Sequence, residues 1–143
     1  MIRDVRLTDR LRLEPIGPRH ARDLWRLHQD DAVAEWYDGK WTTEHAECRA
    51  IEMGAAWESD AVNKWMAYDR ETFDLIGRGG LSRKIVEGRE HLEVGWAVRG
   101  GLWDRGYGTE IDRAGLAFAF NDLGADEVIA FTEVHNARSR AVM

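Results

Sequence analysis

Three β-type runs follow one another through the middle of this chain and constrain most of what it can fold into. Residues 64–69 (KWMAYD), 75–85 (LIGRGGLSRKI) and 92–98 (LEVGWAV) are joined by the short stretches 70–74 and 86–90. Both connections suit antiparallel hairpins. Gly77, Gly79 and Gly80 weaken the middle run, which points to a bulge or to close approach by another group. Ahead of these strands, residues 10–16 (RLRLEPI) alternate Leu11 and Leu13 with polar residues and read as a first strand. Gly17-Pro18 ends it, and Pro18 suits the first turn of a helix running to about Asp30, with Ala21, Leu24, Trp25 and His28 on one face. Residues 37–40 read as loop. Thr42 or Thr43 caps a second helix, in which Ala46, Ala50, Met53 and Trp57 recur at helical spacing.

After the strands comes a glycine-rich turn, Trp103-Asp104-Arg105-Gly106-Tyr107-Gly108, and then a helix from about Gly108 to Leu123. Its buried stripe is Ile111, Ala114, Phe118 and Ala119, with Gly124 as C-cap. Residues 127–134 (EVIAFTEV) form a fifth strand, so strand, helix and strand make a parallel crossover. Asn136 caps a last helix beginning near Ala137. The whole is one mixed α/β domain over residues 1–143, with no internal repeat or linker.

Composition narrows the function classes. The chain is 44% hydrophobic and 32% charged, as in a globular domain, and no apolar run reaches the roughly 18–20 residues that span a bilayer. A net charge of −6 argues against nucleic acid as the main ligand, because that binding rests on clustered Lys and Arg. It leaves a small anionic cofactor open, since backbone amides alone can cradle one. Cys48 is the single cysteine, which fits a reducing compartment, and the expected location is cytoplasmic. Seven tryptophans are many for this length and suit core packing or an acceptor pocket. His45 and Cys48 share a helix face but lack further ligands, so no metal site is expected.

The turn at residues 103–108 carries the chemistry. The first amides of a helix lack intrahelical partners and sit at the positive end of its dipole. Gly106 and Gly108 let the backbone approach an anion, and Arg105 adds charge. The pattern lacks the Gly-Lys-Ser/Thr ending of nucleoside-triphosphate loops and the third glycine of the dinucleotide fingerprint. Taken alone, the turn is a plain loop or a phosphate cradle.

Its setting resembles the GNAT acetyltransferase superfamily, and within it the Rim-type branch. The resemblance rests on Thr8-Asp9-Arg10-Leu11-Arg12-Leu13, Ile76-Gly77 with Gly80-Leu81, Glu93-Val94-Gly95-Trp96, Trp103 through Glu110, and Asn136-Ala137-Arg138-Ser139, all in order. Trp103 stands where the superfamily usually has Gln or Arg, as is common in the Rim-type branch. The family continues after Asn-x-x-Ser into further helix and strands, so the resemblance implies a C-terminally incomplete domain here. It is either a fragment or a homo-oligomer, such as a dimer, that completes the sheet at an open strand edge.

The resemblance implies a mostly antiparallel sheet splayed between its fourth and fifth strands, with helices on both faces. It also implies acetyl-CoA as cosubstrate, its phosphates on Asp104, Arg105, Gly106, Tyr107, Gly108 and Thr109. The pantetheine arm is expected along the backbone of Trp96, Ala97 and Val98, and an N–H near residues 94–96 faces the oxyanion. Glu93 stands where some superfamily members carry a catalytic glutamate, and is either that base or a solvated carboxylate. Ser139 is either the acid that protonates the thiolate or a helix-start residue. Asn136 contacts the cofactor or caps the helix, and Glu133 and His135 are alternative bases. The acceptor is a primary amine, a protein N-terminus or a small molecule, and the acidic net charge favours cationic acceptors. Trp36, Tyr37 and Trp41 make an aromatic wall for it, or simply pack. The alternative reading is an acyl-CoA-binding module without turnover.

Overall fold

The computed structural model describes residues 5–130. Its frame is a five-stranded sheet in sequence order, β1 (Arg6–Leu7), β2 (Leu11–Pro15), β3 (Lys64–Asp69), β4 (Leu75–Val86) and β5 (Arg89–Val98), every neighbouring pair antiparallel. The expected first strand is β2, and β1 precedes it as a two-residue hairpin arm. The last hairpin is tighter than the sequence suggested. The ladder continues to Val86 opposite Arg89, leaving only Glu87 and Gly88 as the turn, with φ of 51° and 77°. Two positive φ values in a two-residue loop match the right-handed twist of the strands, so β5 starts at Arg89 rather than Leu92.

The helices occupy both faces. Pro18–His20 is a single 3-10 turn, followed by α1 (Ala21–Leu27), α2 (Asp31–Glu35) and α3 (Thr43–Asp60). The helix expected to reach Asp30 therefore stops at Leu27. Asp30 caps a new one instead, its carboxylate accepting from Ala32 and Val33 N–H at 3.0 and 3.2 Å. That oxygen also accepts from Gly100 N–H at 3.2 Å, tying α2 to the loop after β5. Thr42 caps α3 through His45 N–H, and Ala46, Ala50, Met53 and Trp57 are all buried.

On the opposite face α4 (Tyr107–Ala117) continues into a wide π turn, Phe118–Asp122. It lies close to the sheet because β4 presents glycine beneath it. A Cβ on Gly79 would stand 2.5 Å from Ile111 Cγ2 and 2.7 Å from the Gly95 carbonyl oxygen, so no larger residue fits there. Leu24, Leu27, Met53, Met66 and Leu75 fill the core on the α1–α3 side. Leu13, Trp65, Ile76, Val98 and Ile111 fill the α4 side. Beyond α4, Ile129 makes a parallel bridge to Glu93, as a crossover requires. The remainder of the expected fifth strand, the last helix, and Glu133, His135, Asn136 and Ser139 lie outside the described residues.

Candidate active site

Strand alternation in β5 divides the site. Glu93, Gly95 and Ala97 pair with Ser82, Gly80 and Arg78, and their side-chain positions face α1–α3. Val94, Trp96 and Val98 point toward α4, where Val94 meets Gly115 and Trp96 packs on the core. The backbone alternates too. Leu92, Val94, Trp96 and Val98 turn their N–H and C=O groups away from β4, toward the outer edge.

Among the described residues that edge is filled at both ends and unpaired between. Val94 N–H donates to the Ile129 carbonyl, and Ile129 N–H to the Leu92 carbonyl, each at 2.9 Å. The Trp103 indole N–H donates to the Val98 carbonyl at 2.8 Å. Trp96 lies between these contacts, and its outward N–H and C=O have no partner among the described residues. The three residues expected to line this edge therefore differ. Trp96 presents both groups outward and Val98 its N–H, whereas the Ala97 backbone is spent in the ladder with β4. Within residues 94–96, only the Trp96 N–H points outward without a partner among the described residues.

The glycine turn sits at the start of α4. Asp104 and Gly106 adopt φ of 66° and 83°, and Gly106 is the N-cap with no side-chain partner for the helix amides. The helix opens at Tyr107, one residue earlier than expected, so the amides of Tyr107, Gly108 and Thr109 are its unpaired first turn. Asp104, Arg105 and Gly106 are exposed, while Tyr107, Gly108 and Thr109 are partly covered.

A clamp that sequence reasoning missed fixes this turn. Glu110 accepts from Arg10 N–H at 2.8 Å, from Arg10 Nε at 2.7 Å and from the Thr8 hydroxyl. Arg10 then reaches past it, donating to the Arg105 carbonyl at 2.8 Å and lying over the Tyr107 ring at 4.2 Å. Although burial pushes the other way, the hydrogen bonds from Thr8 and Arg10 hold the Glu110 carboxyl below its ordinary range. Thr8, Arg10 and Glu110 stood inside the quoted motifs, but about a hundred residues of separation hid the contact.

Glu93 lies on the α1–α3 face with its side chain 17% exposed, and Lys84 Nζ stands 3.4 Å from its carboxylate. Lys64, opposite Gly80 on β3, carries its Nζ across to Gly95 on the same face. Burial, with help from Arg78, pushes the Lys64 ammonium down to about 8. Next along this face is Arg78, 5% exposed. Of the three aromatic residues expected here, Tyr37 and Trp41 come together around His28, which stacks on Trp41 with centroids 3.4 Å apart while Tyr37 meets both rings edge-on. Among the described residues no group of three His, Cys, Asp or Glu is placed to hold a metal.

Comparison with known proteins agrees with this arrangement. Residues 10–143 match the acetyltransferase (GNAT) domain family. The chain is 26% identical over 139 residues to the uncharacterized protein YkkB of Bacillus subtilis, covering 93% of this chain and 78% of that one. It is 28% identical over 145 residues to the FsC-acetyl coenzyme A-N(2)-transacetylase of Aspergillus fumigatus, covering 95% of this chain and 61% of the fungal protein. Among solved structures, a GnaT-family acetyltransferase from Bordetella pertussis superposes with a TM-score of 0.86 at 25% identity, over 98% of this chain and 85% of that one. With a family match over almost its whole length and the fold to accompany it, the chain belongs to the GNAT acetyltransferase family, whose members transfer acetyl groups from acetyl-CoA.

Proposed function

We propose that this protein moves an acetyl group from acetyl-CoA to a primary amine by direct attack in a ternary complex, in the manner of the Rim-type branch. The observation that carries this reading is the stretch of the β5 edge at Trp96, unpaired among the described residues and joined to the helix-start turn where Trp103 bonds the Val98 carbonyl. An extended amide-bearing arm can pair with such an edge as an added strand would. In this reading the Trp96 N–H and C=O and the Val98 N–H bind the pantetheine. The amides of Tyr107, Gly108 and Thr109, with Gly106 and the exposed Arg105, bind the phosphates, and Asp104 shapes the turn.

Glu93 takes the proton of the acceptor ammonium through a water molecule. The freed amine nitrogen forms its bond to the thioester carbon, and the Trp96 N–H stabilises the oxyanion. As the carbon–sulfur bond breaks, Ser139 gives a proton to the thiolate, and Asn136 contacts the cofactor nearby. Glu93 suits its part because it opens onto the α1–α3 face, opposite the face of the turn, so acceptor and cofactor approach from different sides.

Release of free thiol from acetyl-CoA with a panel of amines tests the reading. Glu93→Gln should lower turnover ten-fold or more while leaving acetyl-CoA affinity nearly unchanged, and an unaltered pH–rate profile would remove Glu93 from the mechanism. Gly108→Trp should abolish acetyl-CoA binding in calorimetry. Normal binding by that variant would refute the phosphate assignment.

A further inference from the structure

The α1–α3 face of the sheet holds charge that the transfer chemistry just proposed does not use. Arg78 lies on β4 between Met66 and Ala97 and is 5% exposed, with its Nε lacking any hydrogen-bond partner among the described residues. Its guanidinium carbon is 5.1 Å from the Tyr37 ring centroid and 5.5 Å from that of Trp41. Behind it His28 is fully buried, and neither ring nitrogen has a hydrogen-bond partner among the described residues. Two residues further along β3 from Met66, Lys64 adds a second cation over Gly95. Among the described residues neither Arg78 nor Lys64 makes an ion pair within 4 Å; Glu93, whose charge acts on Lys64, is already paired with Lys84.

Burying a guanidinium without an anion is costly, and a buried N–H left unspent adds to the cost. Packing between Met66 and Ala97 does not by itself call for a charged side chain at position 78. The guanidinium fork matches carboxylate and phosphate oxygens, and the rings of Trp41 and Tyr37, set edge-on to one another, flank it. A simple cationic amine would be repelled by Arg78 and Lys64 together, although the chain as a whole is acidic.

We propose that the acceptor of this enzyme is an amine that also carries an anionic group, read by Arg78 with Lys64, while its nitrogen is delivered to Glu93. This rests on the acetyl-transfer reading above. Arg78 pairs with Ala97, four residues along β5 from Glu93, which is about 13 Å between backbone positions. The anion and the amine therefore sit at opposite ends of an extended acceptor rather than on one carbon.

The test uses three matched acceptors: hexylamine, 6-aminohexanoate and 6-aminohexyl phosphate. With the intact protein, kcat/KM for at least one of the two anionic amines should exceed that for hexylamine ten-fold or more, and the two separate carboxylate from phosphate recognition. Arg78→Met should bring that ratio close to one, and Arg78→Lys should keep part of it. Both variants are first checked for a native circular dichroism spectrum, and the wild-type comparison stands without them. Equal or better turnover of hexylamine by the wild type would overturn the proposal while leaving acetyl transfer intact. If no amine releases thiol, the acetyl-transfer reading fails. Calorimetry of 6-aminohexanoate and 6-aminohexyl phosphate against hexylamine, with acetyl-CoA present, then decides anion recognition by itself, and no preference for either anionic amine overturns it.

Discussion

Removing the Glu110 carboxylate tests the idea that the glycine turn is held from outside, by the N-terminal hairpin. Glu110→Ala deletes the acceptor of three hydrogen bonds, from the Thr8 hydroxyl, the Arg10 N–H and Arg10 Nε. Hydrogen bonds to a charged group contribute about 1.5–3 kcal/mol each when well shielded. The Arg10 side chain is 41% exposed and rehydrates once released, so its ion pair counts for little. The carboxylate itself is only 15% exposed, which leaves the Thr8 and Arg10 backbone bonds at the lower end of the range, about 3 kcal/mol together. For a chain of 143 residues this corresponds to a fall in melting temperature of about 10 °C.

The same substitution frees the Arg10 guanidinium that donates to the Arg105 carbonyl, so residues 104–106 lose their brace. Ordering even one of them again on binding costs about 1–2 kcal/mol, and acetyl-CoA affinity should drop about ten-fold. Thermal melts followed by circular dichroism and calorimetry with acetyl-CoA read both effects. A melting temperature within about 2 °C of wild type would refute the stability argument. An unchanged Kd beside a large fall in melting temperature would show that the clamp holds the hairpin but not the turn.

Two further outcomes follow from burial. Burial and the neighbouring charge of Arg78 push His28 down to about 3 from an ordinary 6.5, so between those values the native protein binds fewer protons than the unfolded chain and stability falls as pH falls. Urea titrations should show wild type losing about 2 kcal/mol between pH 6.5 and 5 and His28→Phe losing much less; parallel curves would refute this. Gly79→Ala places a methyl group against the Gly95 carbonyl oxygen, which cannot rotate aside, and should cost about 3 kcal/mol. Gly17→Ala, with nothing within 4 Å, is the matched control in the same melt.

What was legible in the sequence was whatever repeats locally. The α3 stripe of Ala46, Ala50, Met53 and Trp57 follows helical period, and β3 matches the expected 64–69, an apolar run flanked by Lys64 and Asp69. The β4 glycines announced a close approach, though not that α4 makes it through Ile111. Asp30 escaped notice as a cap because the periodicity of α1 runs smoothly into it, and only the break at His28 reveals a second helix start. Arg78 was hidden for a different reason. An arginine flanked by glycines reads as exposed strand, and its burial depends on Tyr37 and Trp41 arriving from a loop some forty residues earlier. The outward edge at Trp96 likewise emerges only when the register of β5 against β4 is known.

That register is the quantity on which the whole site turns. Sliding β5 by one residue would carry Glu93 to the α4 face and put Val94 or Leu92 where the proposed mechanism places the base. It would also exchange the Trp96 backbone groups for those of Gly95 or Ala97 at the open edge. The ladder resists such a slip through ten consecutive pairs, from Gly77 opposite Val98 to Val86 opposite Arg89. The two-residue turn at Glu87-Gly88 fixes its closed end. At the other end Gly77 and Gly79 admit the Ala97 and Gly95 carbonyls at distances no side chain would tolerate. The glycines that weaken β4 as a strand are thus what lock its neighbour in place, so Glu93 opens onto one face and the Trp96 amide stays at the edge.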